Sequence, residues 1–123
     1  MKRLWVLLLC IPAFAATVVP NRYIVELSTE SVGAHLARAG GRSALHSAAA
    51  ASHRDLVSAQ QTATRKLVQS AGGKVLGSVD TVSNALKVEI PDAAAPTLRS
   101  IPGVVNVYPV RTFDLLLDRK SVV

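Results

Sequence analysis

Alternation of apolar and polar residues marks out the strands before any other feature does. In Arg22-Tyr-Ile-Val-Glu-Leu27, Tyr23, Val25 and Leu27 fall on one face and Arg22, Ile24 and Glu26 on the other, the period-2 pattern of a half-buried strand. Thr17 to Asn21 forms a short lead into it. Lys74 to Val79 is a second apolar run, interrupted by Gly77. After a small polar turn from Asp80 to Asn84, Ala85 to Ile90 alternates cleanly, with Leu86, Val88 and Ile90 opposed to Lys87 and Glu89. Those two runs are close enough in sequence to form a hairpin. The last apolar run is Val104 to Tyr108, four valines and a tyrosine lying between Pro102-Gly103 and Arg111 when Val110 is counted. Pro109 bars a central ladder position, so the chain is expected to leave the sheet there and present the residues beyond it.

Helical periodicity fills the gaps. Ser52-His-Arg-Asp55 has the spacing of a capping box. Beyond it Leu56, Ala59, Ala63, Leu67 and Ala71 recur at steps of three and four, predicting one buried stripe, and Gly72-Gly73 ends the helix. Pro91-Asp92 opens a second, shorter helix through Ser100 with Asp92 as N-cap, and Ala94, Leu98 and Ile101 point inward. Pro96 fits such a helix only within its first turn. Ser28 to Ala51, rich in Ser, Ala, Gly and Arg, is expected to be a mobile loop or a frayed lead-in. Taken in order, the chain is an α+β protein of ferredoxin-like type, β-α-β-β-α-β, a four-stranded antiparallel sheet with two helices on one face. The other face is left open, and Ile24, Val79 and Tyr108 make it less than fully polar, a candidate sheet-face interface.

The ends of the chain carry a different signal. Lys2 and Arg3 precede an apolar run from Leu4, and Ala13-Phe-Ala15 is a small-x-small cleavage pattern, so residues 1–16 read as a secretory signal peptide. The run from Leu4 to Ala16 spans 13 residues, short of the roughly 20 that cross a bilayer. No stable membrane insertion is expected after signal removal, and the protein is expected to be secreted, extracellular or periplasmic. Cys10 is the only cysteine, which excludes an intrachain disulfide; a lipoprotein signal would want a small residue where Leu9 stands. Loss of Lys2 and Arg3 lowers the formal charge from +6 to +4, which names no nucleic-acid partner by itself. Residues 17–113 then form one domain and 114–123 an extended C-terminal tail. With Tyr23, Tyr108 and Phe113 as its aromatics, a core of ~75 ordered residues should be stable by only a few kcal/mol, roughly.

Candidate chemistry is thin. His35, His46 and His53 with the many serines do not make a triad, because all three histidines fall in the expected loop or at a helix start, where no rigid scaffold orients them; they are expected to be solvated. Their spacings match no helical metal pair, and no cofactor is expected. Tyr23 and Tyr108 lack the Gly- and Phe-rich signature of RNA-stacking strands, so no nucleic-acid partner is expected. A small ferredoxin-like binding module for RNA or protein stays as the alternative class. Asn21-Arg22 before the first strand is too little for a phosphate-cradling enzyme of the acylphosphatase kind.

Four pieces of the chain resemble one family. They are Arg22-Tyr-Ile-Val-Glu-Leu27, Ala71-Gly-Gly-Lys-Val-Leu76, Asn84-Ala-Leu-Lys-Val-Glu-Ile90 and Ile101-Pro-Gly-Val-Val-Asn-Val-Tyr-Pro109. In that order they are similar to the inhibitor I9 prodomain of subtilisin-like serine proteases, and Arg111 to Asp118 looks like the junction ahead of the protease domain. The resemblance implies a propeptide that is not itself an enzyme: a serine protease inhibitor and intramolecular chaperone for a secreted subtilisin-like protease, in cis or in trans. It implies that the open sheet face packs on the protease. It also implies that Arg111, Thr112, Phe113, Asp114, Leu115, Leu116 and Leu117 lie product-like in the active-site cleft, with backbone bonds giving affinity and alternate side chains filling pockets. The Asp-Thr/Ser-Gly, His-Gly-Thr-His and Gly-Thr-Ser-Met-Ala motifs of the protease itself do not occur in this sequence.

Overall fold

The computed structural model describes residues 16–41 and 44–113; residues 114–123 and all but the last residue of the expected signal peptide lie outside them. Four strands, β1 (Thr17–Leu27), β2 (Lys74–Val79), β3 (Ala85–Glu89) and β4 (Val104–Thr112), form one sheet in the order β2-β3-β1-β4 with every pair antiparallel. This is the expected ferredoxin-like arrangement. The long helix α2 (Ala48–Ser70) and a 3₁₀ helix (Asp92–Ser100) share one face of it. Val25, Leu27, Leu86, Val88, Ile90 and Val107 meet Val68, Ala95, Leu98 and Ile101 there in a single buried cluster. The alternation read along Tyr23 to Leu27 and Leu86 to Ile90 holds residue by residue.

The segment expected to be a loop carries structure of its own. Ser31 caps a helix, α1 (Val32–Ala39), its Oγ accepting from the Ala34 amide at 3.3 Å. Val32 and Leu36 are buried against Ala50 and Val57 of α2 in a second cluster. The start of α1 is also stitched to the β2–β3 turn, with Val32 N–H donating to the Asp80 carbonyl at 2.9 Å and Gly33 N–H to Thr81 at 2.8 Å. Glycine is required at 33 because a Cβ there would stand 2.6 Å from the Thr81 carbonyl oxygen.

Helix α2 begins earlier than the capping-box pattern suggests and is rolled to a different face. Ser47, not Ser52, is its N-cap, accepting from Ala50 N–H at 3.2 Å; the run Ala48 to Ala51 has the highest helix propensity available and extends the helix to it. Of the expected stripe, Leu56, Ala59, Ala63 and Leu67 are exposed and only Ala71 packs, half-buried, against the core, whereas Ala50, His53, Val57, Gln61, Thr64 and Val68 are buried. The polar members are tolerated because they have partners: His53 bonds the Glu30 carbonyl and Gln61 the Val79 carbonyl, and among the described residues no buried side-chain nitrogen or oxygen is unpartnered. Gly72, at φ 88°, ends the helix as expected.

Two further boundaries differ. The second helix is 3₁₀ and carries Pro96 in its interior: proline has no N–H for an α-type bond and its ring crowds the preceding turn. Asp92 is not its N-cap; Pro91 holds that position without a side-chain bond. β4 does not stop at Tyr108 either. Pro109 pairs with Tyr23 inside the strand, and the ladder resumes with Arg111 opposite Val18 and Thr112 opposite Thr17. β4 is an edge strand, the place in a sheet where proline is accepted.

Candidate functional site

The sheet face away from the helices is built in three cross-strand rows. Lys74, Glu89 and Arg22 form the first, Gly77, Lys87, Ile24 and Tyr108 the second, and Val79, Ala85, Glu26 and Asn106 the third. Charge pairs with charge in the first row, where Arg22 Nη2 lies 2.8 Å from Glu89 Oε2. In the third, Glu26 Oε2 accepts from Asn106 Nδ2 at 2.9 Å and from the Tyr108 hydroxyl of the neighbouring row at 3.4 Å. Lys87, Tyr108 and Val79 are exposed, the last two at 49% and 51%.

Of the three residues expected at this interface, Ile24 and Tyr108 are direct cross-strand partners, close enough to act as one apolar patch. Val79 stands apart, on the opposite edge strand and one row over. Glu26 and Asn106 were missing from the expectation, although the alternation that places Ile24 outward places Glu26 there too. The patch is thus a central Ile24–Tyr108 pair fenced by Lys87, Glu26 and Asn106, with a free edge along β4. A groove of about 310 Å³ runs beside that edge, lined by Arg99 and Val104 to Tyr108.

The expected tail divides at Phe113. Arg111 and Thr112 belong to the β4 ladder and not to a free segment, because the early strand residues Thr17 and Val18 extend β1 far enough to pair with them. Phe113 is next, at 73% exposure. Asp114, Leu115, Leu116 and Leu117 lie outside the described residues.

Polar bonds hold the elements that present this face. Asn84, 3% exposed, donates to the Thr29 carbonyl at 2.8 Å and Gln60 Oε1 at 2.9 Å, and accepts from Gln61 Nε2 at 3.0 Å. That one amide ties the β2–β3 turn and the end of β1 to α2. Inside β1, where its pairing with β4 is irregular between Val18 and Tyr23, Asn21 sits at φ 58° and exchanges two bonds of 3.0 Å with Asp92, whose Oδ1 also accepts from the Tyr23 hydroxyl at 2.6 Å. The Tyr23 hydroxyl, and after it the Asn21 amide, hold the Asp92 carboxyl below its ordinary value, and the same bond raises Tyr23.

The histidines are not all solvated. His46 is exposed, but His53 is buried at 9% exposure and stacks on His35 with ring centroids 4.0 Å apart. A carbonyl oxygen only accepts, so His53 Nε2 is the donor in its 2.7 Å bond to Glu30. Glu30 also pairs with Arg38, and that guanidinium holds its carboxyl below the ordinary range. These rings brace α1 on α2. Among the described residues no group of three potential metal ligands comes together, and no helix is long and apolar enough to cross a membrane.

Fold and face together define a small sheet-and-helix module with one face of its sheet left open among the described residues. The chain belongs to the peptidase inhibitor I9 family, whose model matches residues 22–115, and I9 domains are the prodomains of subtilisin-like proteases and inhibit them. No curated protein and no solved structure matches the chain.

Proposed function

We propose that the chain is the inhibitory propeptide of a secreted subtilisin-like serine protease, acting in cis or in trans and guiding that protease to its folded state. The open sheet face docks on the protease through Ile24 and Tyr108, with Val79 at its margin, and the residues after Thr112 enter the active-site cleft as an extended, product-like strand. The observation that carries this reading is the continuity of the two surfaces: β4 supplies Tyr108 to the open face and runs on without a break to the exposed Phe113. The leucines at 115–117 then supply alternate apolar side chains for substrate pockets. The cleavable leader at residues 1–16 supports secretion.

The test is inhibition of a panel of subtilisin-type proteases by the purified chain, in comparison with Tyr108→Asp and with a chain ending at Thr112. The reading expects micromolar or tighter inhibition, weakened at least about 10-fold by either change, since each removes one of the two contacts. Equal inhibition by all three proteins, or none by the parent chain across the panel, contradicts it.

A further inference from the structure

Helix α2 is oriented against its own composition. It turns His53, Gln61 and Thr64 inward and leaves Leu56 at 62% and Leu67 at 42% exposure. Ala59 and Ala63, between the leucines, are exposed as well. At about 100° per residue these four fall within about 80° of arc, so they form one apolar stripe along the outside of the helix. Neither buried cluster of the fold includes any of them.

The stripe reads nearly the same in both directions. About Gln61, Ala59 is matched by Ala63 and Ser52 by Ser70, and to within one residue Leu56 is matched by Leu67 and Asp55 by Lys66. Two antiparallel helices related by a twofold axis bring such matched positions opposite each other. Alanine then faces alanine, which lets the axes approach to about 8 Å, and each Leu56 packs on a Leu67. Asp55 and Lys66, both exposed, lie within about 20° of each other on the same flank of the stripe. The twofold therefore sets the carboxylate of each copy against the ammonium of the other, twice. A parallel pair would hold Asp55 and the opposing Lys66 about 16 Å apart along the axis.

We propose that this surface takes a second copy of the chain, α2 against α2 in antiparallel register. The occupant is assigned by the self-complementary order of residues and by the charge match, both of which a foreign helix would have to reproduce by chance. A single helix pair belongs to the small class of interfaces, under about 1,200 Å² in total, so the association is weak and reversible. It uses the helical side of the sheet and leaves the open face free, and it does not depend on the protease reading.

Sedimentation equilibrium of the purified chain from about 10 µM to about 1 mM tests it, that being the range of weak pairs. The expected result is a mass that climbs from monomer toward dimer, a Leu67→Asp chain at least about 10-fold weaker in association, and weakening by Asp55→Lys that Lys66→Asp restores in the double variant. These side chains lie outside the core, and circular dichroism confirms that each variant is folded. Orientation is read by oxidising an equal mixture of Leu56→Cys and Leu67→Cys chains that also carry Cys10→Ser: the mixed 56–67 disulfide should rise well above the half of all disulfides that random pairing gives. A monomer throughout the range, a charge exchange that fails to restore pairing, or a mixed disulfide no more abundant than random pairing gives overturns the proposal.

Discussion

Replacing Asn84 with alanine should cost this domain about 3 kcal/mol. The side chain is 3% exposed and makes three bonds of 2.8 to 3.0 Å. Each is worth about 1 kcal/mol net. Two of the abandoned partners keep a second bond, Gln60 Oε1 from the Thr29 amide and Gln61 Nε2 to the Val79 carbonyl. The Thr29 carbonyl loses the amide that Asn84 gave it, a loss already counted among the three. The sum is a large fraction of the stability of so small a domain, and for a chain of this size it lowers the melting temperature by roughly 12–24 °C. Urea denaturation followed by circular dichroism reads the difference, with the exposed Thr62→Ala as a control expected within about 0.5 kcal/mol of the parent. Asn84→Asp separates the roles, since a carboxylate keeps the acceptor for Gln61 but gives up both donors, and it should be nearly as damaging. A loss below about 0.5 kcal/mol for Asn84→Ala would refute the idea that this amide clips the turn to α2.

Other outcomes are as definite. Gly33→Ala, which in an ordinary helix would stabilise by up to about 1 kcal/mol, should instead destabilise by roughly 1–3 kcal/mol, because the new Cβ meets the Thr81 carbonyl oxygen at 2.6 Å; a rise in melting temperature would show that α1 can slide off the β2–β3 turn. Asp92 has its folded-state value lowered, chiefly by the Tyr23 hydroxyl, so its contribution is present at neutral pH and is lost as pH falls through that folded value; Tyr23 is raised, so its contribution is lost as pH rises beyond its ordinary value of about 10. Melting temperature measured against pH should accordingly fall less steeply below about pH 4 in Tyr23→Phe than in the parent, and parallel profiles would remove the hydroxyl from the account. Ile24→Asp should leave the melting temperature within a few degrees while weakening protease inhibition at least about 10-fold; unchanged inhibition would take the open face out of the binding surface.

The strands and their faces were legible because one side of the sheet is uniformly apolar: Val25, Leu86, Val88 and Val107 are buried where alternation puts them, and the same alternation put Ile24 and Tyr108 on the open side. The long helix was legible in its existence and its end at Gly72, but not in its rotation. Periodicity weighs side chains by hydrophobicity, and α2 buries His53 and Gln61 on the strength of hydrogen bonds to the Glu30 and Val79 carbonyls, partners far away in sequence that no local pattern reveals. Helix α1 was hidden for a related reason: Ser31 and the Val32–Leu36 pair are a weak signal amid alanines and glycines, and the helix is fixed by the β2–β3 turn and α2. Pro109 misled about the end of β4 because a proline excludes a central strand and permits an edge, and strand order is a tertiary fact. For the site, pairing of Ile24 with Tyr108 and the separation of Val79 follow from register, which sequence spacing alone does not set.

The most direct measurement is a crystal structure of the chain bound to a subtilisin-type protease that it inhibits. The account predicts Ile24 and Tyr108 buried on the enzyme surface, the residues after Thr112 extended through the cleft with backbone bonds to its walls, and α2 facing away from the enzyme. A complex in which the chain binds through α2, or in which the cleft is empty beyond Phe113, would contradict it.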